Sequence, residues 1–292
     1  MKVGTSMFRH RSACLAVLIL ILSAGSLVAW QRSGRGRSGS RISPDGSVVI
    51  DRRDVPKWEV DTDFISDTFT FARVQYDSHF DGRGGGWETD FPDSDLNFSL
   101  RLQQLTSLKV NPDPVVVRLT DEHLLDYPFI YLIEPGRLLF SDEEVVALRR
   151  YCQRGGFLMV DDFWGDEEWS NFYGQIKRVF PEREPQEVPL EHPIFHTVYD
   201  LKEKPQVPSI GAAYRNGGQV VTWEPRSGSD TSVAYYKAIY DDAGHIMVFI
   251  CHNTDLGDGW EREGQNQWYF EEFSVKKAYP MGINIVTYAM TH

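Results

Sequence analysis

Acidic, amide, imidazole and indole side chains stand directly after several apolar segments of this sequence. Carboxylates and imidazoles can transfer protons, and carboxylate and amide oxygens can bind hard cations, provided that they converge in the fold. Indole rings can form the apolar wall of a small-molecule site in which a few polar groups orient the ligand. The candidate pocket residues are Trp87, Asp90, Asp161, Asp162, Trp164, His252, Asn253 and Asp255.

Several of these candidates also have an ordinary structural explanation. Asp161 and Asp162 stand at a predicted strand-to-helix junction, where an aspartate commonly caps the following helix. The segment from Asp255 to Gly259 is equally typical of a turn. A Gly-rich segment at 82–86 lacks the Lys-Ser/Thr of a phosphate-binding loop and favours a lid or a tight turn. The sequence therefore assigns no metal ligands, and the cofactor, if any, is left unknown.

The elements that would position these groups alternate between strands and helices. Apolar segments bounded by proline or glycine predict buried strands, and Ser141 with Glu144 predicts a capping box for a helix that ends at Gly155. The predicted strands cover 69–76, 115–120, 129–135 and 157–162, and the predicted helices cover 96–107, 141–154, 168–179 and 281–291, the last after Pro280.

This order of elements predicts an α/β fold. We expect a mostly parallel sheet with helices on both faces, flavodoxin-like or amidotransferase-like, and an added antiparallel hairpin that turns at Asp241–Gly244. In such sheets ligands bind beyond the carboxyl ends of the strands. The candidate residues should therefore gather at one edge of the sheet.

Composition and charge limit the classes of function. Of 292 residues, 41% are hydrophobic, which is typical of a folded protein and not of a disordered one. The net charge of -12 argues against a nucleic-acid partner, because neutralising phosphates requires a basic surface. Cys152 and Cys251 are unclustered, which favours buried free thiols over a disulfide framework or a zinc site.

An uncharged apolar segment, Ala13–Trp30, predicts membrane targeting. Residues 1–30 read as a signal peptide or, uncleaved, as a membrane anchor. A flexible basic linker at 31–47 then precedes an α/β domain at 48–292. Arginines in the linker favour a cytoplasmic position for it, whereas the N-terminal placement of the apolar segment favours export. We expect an exported periplasmic or inner-membrane-anchored protein, with its cleavage and topology left open.

Several separated segments resemble the bacterial domain of unknown function 4159. In order from about Phe69 to the C-terminus these are FARVQYDS, GGGWETDFPDSDLNFSLRLQQLTSLKV, DDFWG, LEHPIFHTVYDL and CHNTDLGDGWE. That family has no established activity, so the resemblance implies kinship and leaves function open.

More distantly, the layout is similar to the class I glutamine-amidotransferase-like fold, including its trehalose-utilisation relatives. The resemblance implies a nucleophilic cysteine on the turn where this chain has Asp161 and Asp162. It also implies a catalytic histidine followed by glutamate, where this chain has His252, Asn253 and Asp255. Without a thiol on the turn, thiolate attack on an amide cannot occur, so glutaminase activity is not expected.

Three hypotheses follow for the function. We favour a non-catalytic module that binds an unknown small molecule or protein partner near the membrane. The alternative is a hydrolase, with or without a metal, in which Asp161 or Asp162 pairs with His252 for acid–base chemistry. The third hypothesis is a tethered structural domain without a pocket.

Overall fold

The computed structural model describes residues 41–42, 48–52, 54–60, 67–79, 86–214 and 220–292. The apolar segment Ala13–Trp30, nearly all of the linker and positions 82–85 of the Gly-rich segment lie outside these residues. Within the described ranges, no helix has the length and apolar character needed to cross a membrane.

Parallel strands form the centre of the fold. The strands are β1 (Arg41–Ile42), β2 (Val48–Val49), β3 (Ala72–Val74), β4 (Asp77–Ser78), β5 (Val115–Val117), β6 (Phe129–Ile133), β7 (Leu138–Leu139), β8 (Phe157–Asp161), β9 (Gln186–Glu187), β10 (Tyr235–Tyr240) and β11 (Ile246–His252). A 7-stranded sheet has the order β5-β3-β6-β8-β11-β10-β9, and β1-β2 and β4-β7 form separate antiparallel pairs.

The strands from β5 to β11 in this order run parallel, and β10 is antiparallel to both of its neighbours. The parallel part has the 2-1-3-4-5 order of flavodoxin-like folds, in which the chain first reverses direction across the sheet between β3 and β6. The mostly parallel sheet and the hairpin at its edge are both confirmed. The hairpin turns at Asp241–Gly244, where Gly244 N–H donates to the Asp241 carbonyl.

Helices cover both faces of the sheet. They are α1 (Asp93–Leu105), α2 (Asp142–Gln153), α3 (Gly165–Val179), α4 (Ile210–Tyr214), α5 (Leu256–Glu261), α6 (Gln267–Tyr269), a π-helical segment (Phe270–Ala278) and α7 (Tyr279–Thr291). Leu148 of α2 and Phe172 of α3 belong to the core on one face. Phe98 of α1 and Ile283 of α7 belong to the core on the other face. The strands are buried because helices shield them from both sides.

Local signals at helix ends are confirmed where they depend on neighbouring residues alone. Ser141 Oγ accepts from Glu144 N–H at 3.1 Å, and Glu144 Oε2 accepts from Ser141 N–H at 2.9 Å, which completes the capping box of α2. Gly155 has φ 92, the left-handed conformation that ends many helices. Cys152 and Cys251 are buried free thiols, as expected.

The C-terminal helix begins earlier than the sequence predicts. The chain is helical from Gln267 through the π-helical segment to Thr291, so the prediction that the last helix follows Pro280 is wrong. The helix returns to α geometry at Tyr279, which places Pro280 in the first turn of α7. Proline is tolerated there because its missing N–H removes no bond that the first α turn requires.

Candidate functional site

In the described part of the chain, the residues other than glycine with positive φ all stand at the carboxyl edge of the sheet. Glu134 (φ 49) follows β6, Asp162 (φ 56) follows β8, Asn253 (φ 58) follows β11, and Asp90 (φ 60) precedes α1. Left-handed backbone costs roughly 1–2 kcal/mol for most side chains and is better tolerated by Asp and Asn, so Glu134 is the most strained of the four. Such residues cluster at functional sites, and this edge includes the switch point between β3 and β6 where ligands bind in open α/β sheets.

Asp162 occupies the turn between β8 and α3. Its half-buried carboxylate accepts a hydrogen bond at Oδ1 from the indole Nε1 of Trp164, at 3.1 Å. Burial raises the pKa of Asp162 well above its ordinary value, and the negative charges of Glu134 and Glu224 raise it further. Trp164 is the N-cap residue of α3 and provides no side-chain cap, and neither Asp161 nor Asp162 caps this helix. The capping explanation for the two aspartates is therefore wrong.

Glu134 is a site residue that the set of candidates omitted. Its Oε2 accepts from Gly86 N–H at 2.6 Å, and its own N–H donates to the Asp161 carbonyl at 3.1 Å. Burial raises the pKa of Glu134 to about 7, against the hydrogen bond from Gly86, which lowers it. Its position directly after β6 is the sequence signal that could have identified it.

Two further carboxylates border Asp162 and Glu134. Glu168 Oε2 accepts from the Trp164 N–H at 2.7 Å. Arg226 joins them, since its Nε donates to Glu168 at 3.2 Å and its NH1 donates to Glu224 at 3.0 Å. We call Glu134, Asp162, Glu168 and Glu224 the acidic edge; all four side chains are half-buried.

A buried arginine fixes the segment that carries Trp87 and Asp90. The Arg73 guanidinium is fully buried and donates from Nε to Asp95 Oδ2 at 2.9 Å. Its NH1 donates to the carbonyls of Trp87 at 3.0 Å and Thr89 at 2.9 Å. These bonds attach the segment before α1 to β3. Trp87 itself is half-buried, and its own ring lies 6.1 Å from that of a neighbouring phenylalanine.

Asp161 points to the face of the sheet that α1 and α7 cover. Its Oδ2 accepts hydrogen bonds from the Tyr131 hydroxyl and from Gly257 N–H, each at 3.0 Å. The side chain is fully buried, and burial raises its pKa to about 7. Asp161 therefore connects β6, β8 and the start of α5 beneath the acidic edge.

His252 points to the opposite face of the sheet. Its ring lies among aromatic side chains, with ring centroids 4.8 Å from Phe163 and 5.2 Å from Trp169, and its Nε2 is 3.2 Å from the Gly165 carbonyl oxygen. Burial lowers the pKa of His252 to about 4. None of the contacts that the structure gives His252 is with Asp161 or Asp162. Neither aspartate is therefore hydrogen-bonded to the imidazole in this structure.

Asn253 and Asp255 serve the local backbone. Asn253 Oδ1 accepts from Gly165 N–H at 2.9 Å, and its Nδ2 donates to the Val233 carbonyl at 3.0 Å, so the side chain joins three segments. Asp255 Oδ1 accepts from Asp258 N–H at 2.7 Å and caps α5. The segment that begins at Asp255 is therefore the capped start of helix α5, and the turn explanation for it is wrong. Burial, then the charge of Asp162, raises the pKa of Asp255 well above its ordinary value.

A second acidic group lies deeper than the acidic edge. One carboxylate oxygen each from Asp90, Asp258 and Glu261 lies within 4.8 Å of the other two, and all three side chains are buried. Burial raises the pKa of Asp90 well above its ordinary value, and the charges of Glu261 and Asp258 add to this effect. We call these residues the buried triad. Oxygen atoms in this arrangement are suited to a hard cation.

Comparison with known proteins gives one family. A family model described as "Domain of unknown function (DUF4159)" matches residues 70–290, which include the whole 7-stranded sheet, the acidic edge and the buried triad. No curated protein matches the chain.

Proposed function

We propose that this chain, which belongs to the DUF4159 family, is a non-catalytic module that binds a small molecule at the acidic edge. We propose also that its N-terminal segment targets it to a membrane, where it acts exported or anchored. The observation that carries the binding proposal is Asp162. Its half-buried carboxylate stands on a left-handed turn at the carboxyl end of a central strand, and burial and neighbouring charges raise its pKa. Strained, perturbed groups of this kind concentrate at functional sites.

The chemistry of the acidic edge indicates the class of ligand. Carboxylates offer hydrogen-bond acceptors and negative charge. The guanidinium of Arg226 is ion-paired with both Glu168 and Glu224. Asp162 accepts from the neutral Trp164 indole, whereas Glu134 accepts from Gly86 N–H and also feels the positive charge of Arg137. A ligand that donates hydrogen bonds and carries positive charge, such as an amine, would complement these two carboxylates.

The positions of the two cysteine thiols favour a binding function over an amidotransferase reaction. Cys251 is fully buried on β11, and burial raises the pKa of its thiol well above the ordinary value. Cys152 is buried on α2, and burial raises its pKa also. Nucleophilic attack requires an accessible thiolate, and neither residue provides one at the carboxyl edge.

A second candidate function is acid–base hydrolysis by Glu134 and Asp162. It is favoured by the pKa of Glu134, which burial raises to about 7, because a catalytic acid or base works best with a pKa near the ambient pH. In this scheme Glu134, and not His252, would partner Asp162.

Native mass spectrometry of the full chain, solubilised from membranes in a nonionic detergent, distinguishes these functions. For a binding module, we expect the wild-type chain to retain a non-protein species heavier than a metal ion. Asp162→Asn should lose that species, and Asp142→Asn, an exposed carboxylate at the start of α2, should keep it. For a hydrolase, Asp162→Asn should accumulate an intact molecule that the wild type lacks. Equal retention by wild type and Asp162→Asn, or no retained species in either, would contradict both.

A further inference from the structure

We propose that the buried triad, Asp90, Asp258 and Glu261, binds one divalent cation that prefers oxygen ligands, such as Ca²⁺ or Mg²⁺. The three side chains are 7%, 3% and 4% exposed, respectively, and one oxygen of each lies within 4.8 Å of the others. The set consists of carboxylates alone, which favours a hard cation over zinc or copper. This site is separate from the acidic edge and does not depend on the ligand proposed there.

One carboxylate oxygen of the triad lacks a hydrogen-bond partner. Asp90 Oδ2 is buried and accepts no hydrogen bond from the described part of the chain. Buried carboxylate oxygens are almost always satisfied by a donor, a water or an ion, because desolvation without compensation is costly.

The backbone of Gly257 lies close to that atom. A Cβ on Gly257 would lie 2.9 Å from Asp90 Oδ2 and 2.8 Å from the Tyr131 hydroxyl, closer than real Cβ contacts. A side chain at position 257 would therefore displace the groups that face the triad. Glycine at this position therefore permits the backbone to lie against Asp90 and Tyr131 in the buried region of the triad.

Charge balance indicates the valence of the missing partner. Arg262 forms ion pairs with two residues of the triad. Its Nε is 3.0 Å from Asp258 Oδ1, and its NH2 is 2.7 Å from Glu261 Oε2. When all three carboxylates are ionised, they and one guanidinium carry a net charge of -2, which a divalent cation would neutralise. Arg73 also acts on Asp90, but it is ion-paired with Asp95.

The hydrogen bonds around Asp258 resemble the outer partners of metal ligands. Its Oδ2 accepts from Ile210 N–H at 2.8 Å, while Arg262 holds Oδ1. Each carboxylate oxygen has a second lone pair, so these bonds orient the group without preventing coordination. A cation bound by Asp90 and by two residues of α5 would attach the segment before α1 to the start of α5.

Metal binding by the purified full chain tests this inference. After EDTA treatment and gel filtration, the protein is equilibrated separately with Ca²⁺ and Mg²⁺. Bound metal is then measured by inductively coupled plasma mass spectrometry and affinity by calorimetry. We expect about one cation per wild-type chain and an affinity lower by a factor of about ten or more in Asp90→Asn. Asn keeps the size of Asp and tolerates positive φ, so this variant should fold.

Two further measurements keep the test decisive. Glu261→Gln should also weaken binding, whereas Asp142→Asn should match the wild type. Thermal unfolding in EDTA shows whether Asp90→Asn is folded, and added cation should raise the Tm of the wild type more than that of the variant. Equal affinity in Asp90→Asn and the wild type, or no binding of either cation by the wild type at millimolar concentration, would overturn the proposal.

Discussion

Replacing His252 by phenylalanine should remove a pH dependence of stability that the buried imidazole creates. His252 is 6% exposed, and burial lowers its pKa from 6.5 to about 4. Between these values the unfolded chain binds a proton at this residue and the folded chain does not. The free energy of unfolding of the wild type therefore falls as the pH falls from 6.5 to about 4. At 1.36 kcal/mol per pKa unit, the full effect is about 3 kcal/mol.

The assay is urea unfolding of the full chain in detergent at intervals from pH 4 to 7.5, with variant and wild type compared at each pH. His252→Phe should gain stability relative to the wild type as the pH falls, by up to about 3 kcal/mol. His252→Gln should show the same change of unfolding free energy with pH, because it also removes the ionisation. Its unfolding free energy should be lower than that of His252→Phe by a constant amount, because glutamine packs less well against Phe163 and Trp169. If both variants followed the wild-type pH profile, the imidazole would not be buried in its neutral form. The hypothesis that it is an accessible base would then regain support.

Three further perturbations have expected outcomes. Asp161→Asn should gain stability relative to the wild type as the pH rises from 3.8 to about 7, by up to about 4 kcal/mol, because over this range the unfolded wild type loses the Asp161 proton while the folded wild type keeps it; parallel urea profiles would contradict this. Arg73→Met should cost about 3–5 kcal/mol in urea unfolding by leaving Asp95 buried without its cation, and adding Asp95→Leu should recover most of that loss; no recovery would contradict it. Gly156→Ala should lower the Tm, since overpacking costs about 1–3 kcal/mol and its Cβ would lie 2.4 Å from the Tyr151 ring; an unchanged Tm would contradict it.

Much of the fold could be predicted from the sequence because the informative signals were local. The capping box of Ser141 and Glu144 depends on residues three apart, and the hairpin at Asp241–Gly244 depends on one short turn. Alternation of strand and helix signals was enough to predict a parallel sheet. From that followed the expectation that polar residues after the strands would share one edge, and Asp162 does lie there with the end of β11.

The composition of the site could be predicted only in part, because it depends on pairing between distant strands. His252 and Asp161 both stand at the ends of central strands, yet their side chains point to opposite faces, and the face is set by the register of β8 against β11. Glu134 joins Asp162 because β6 and β8 are neighbours in the sheet. Glu261 meets Asp90 because α5 folds back beside the segment before α1.

The proposed role of Asp162 at the acidic edge is tested most directly by the fraction of full-length chains that retain a small molecule in native mass spectrometry. We predict that wild type and Asp142→Asn retain the same species to the same extent, and that Asp162→Asn retains little of it. The same occupancy in wild type and Asp162→Asn would contradict the assignment of the ligand site to this edge.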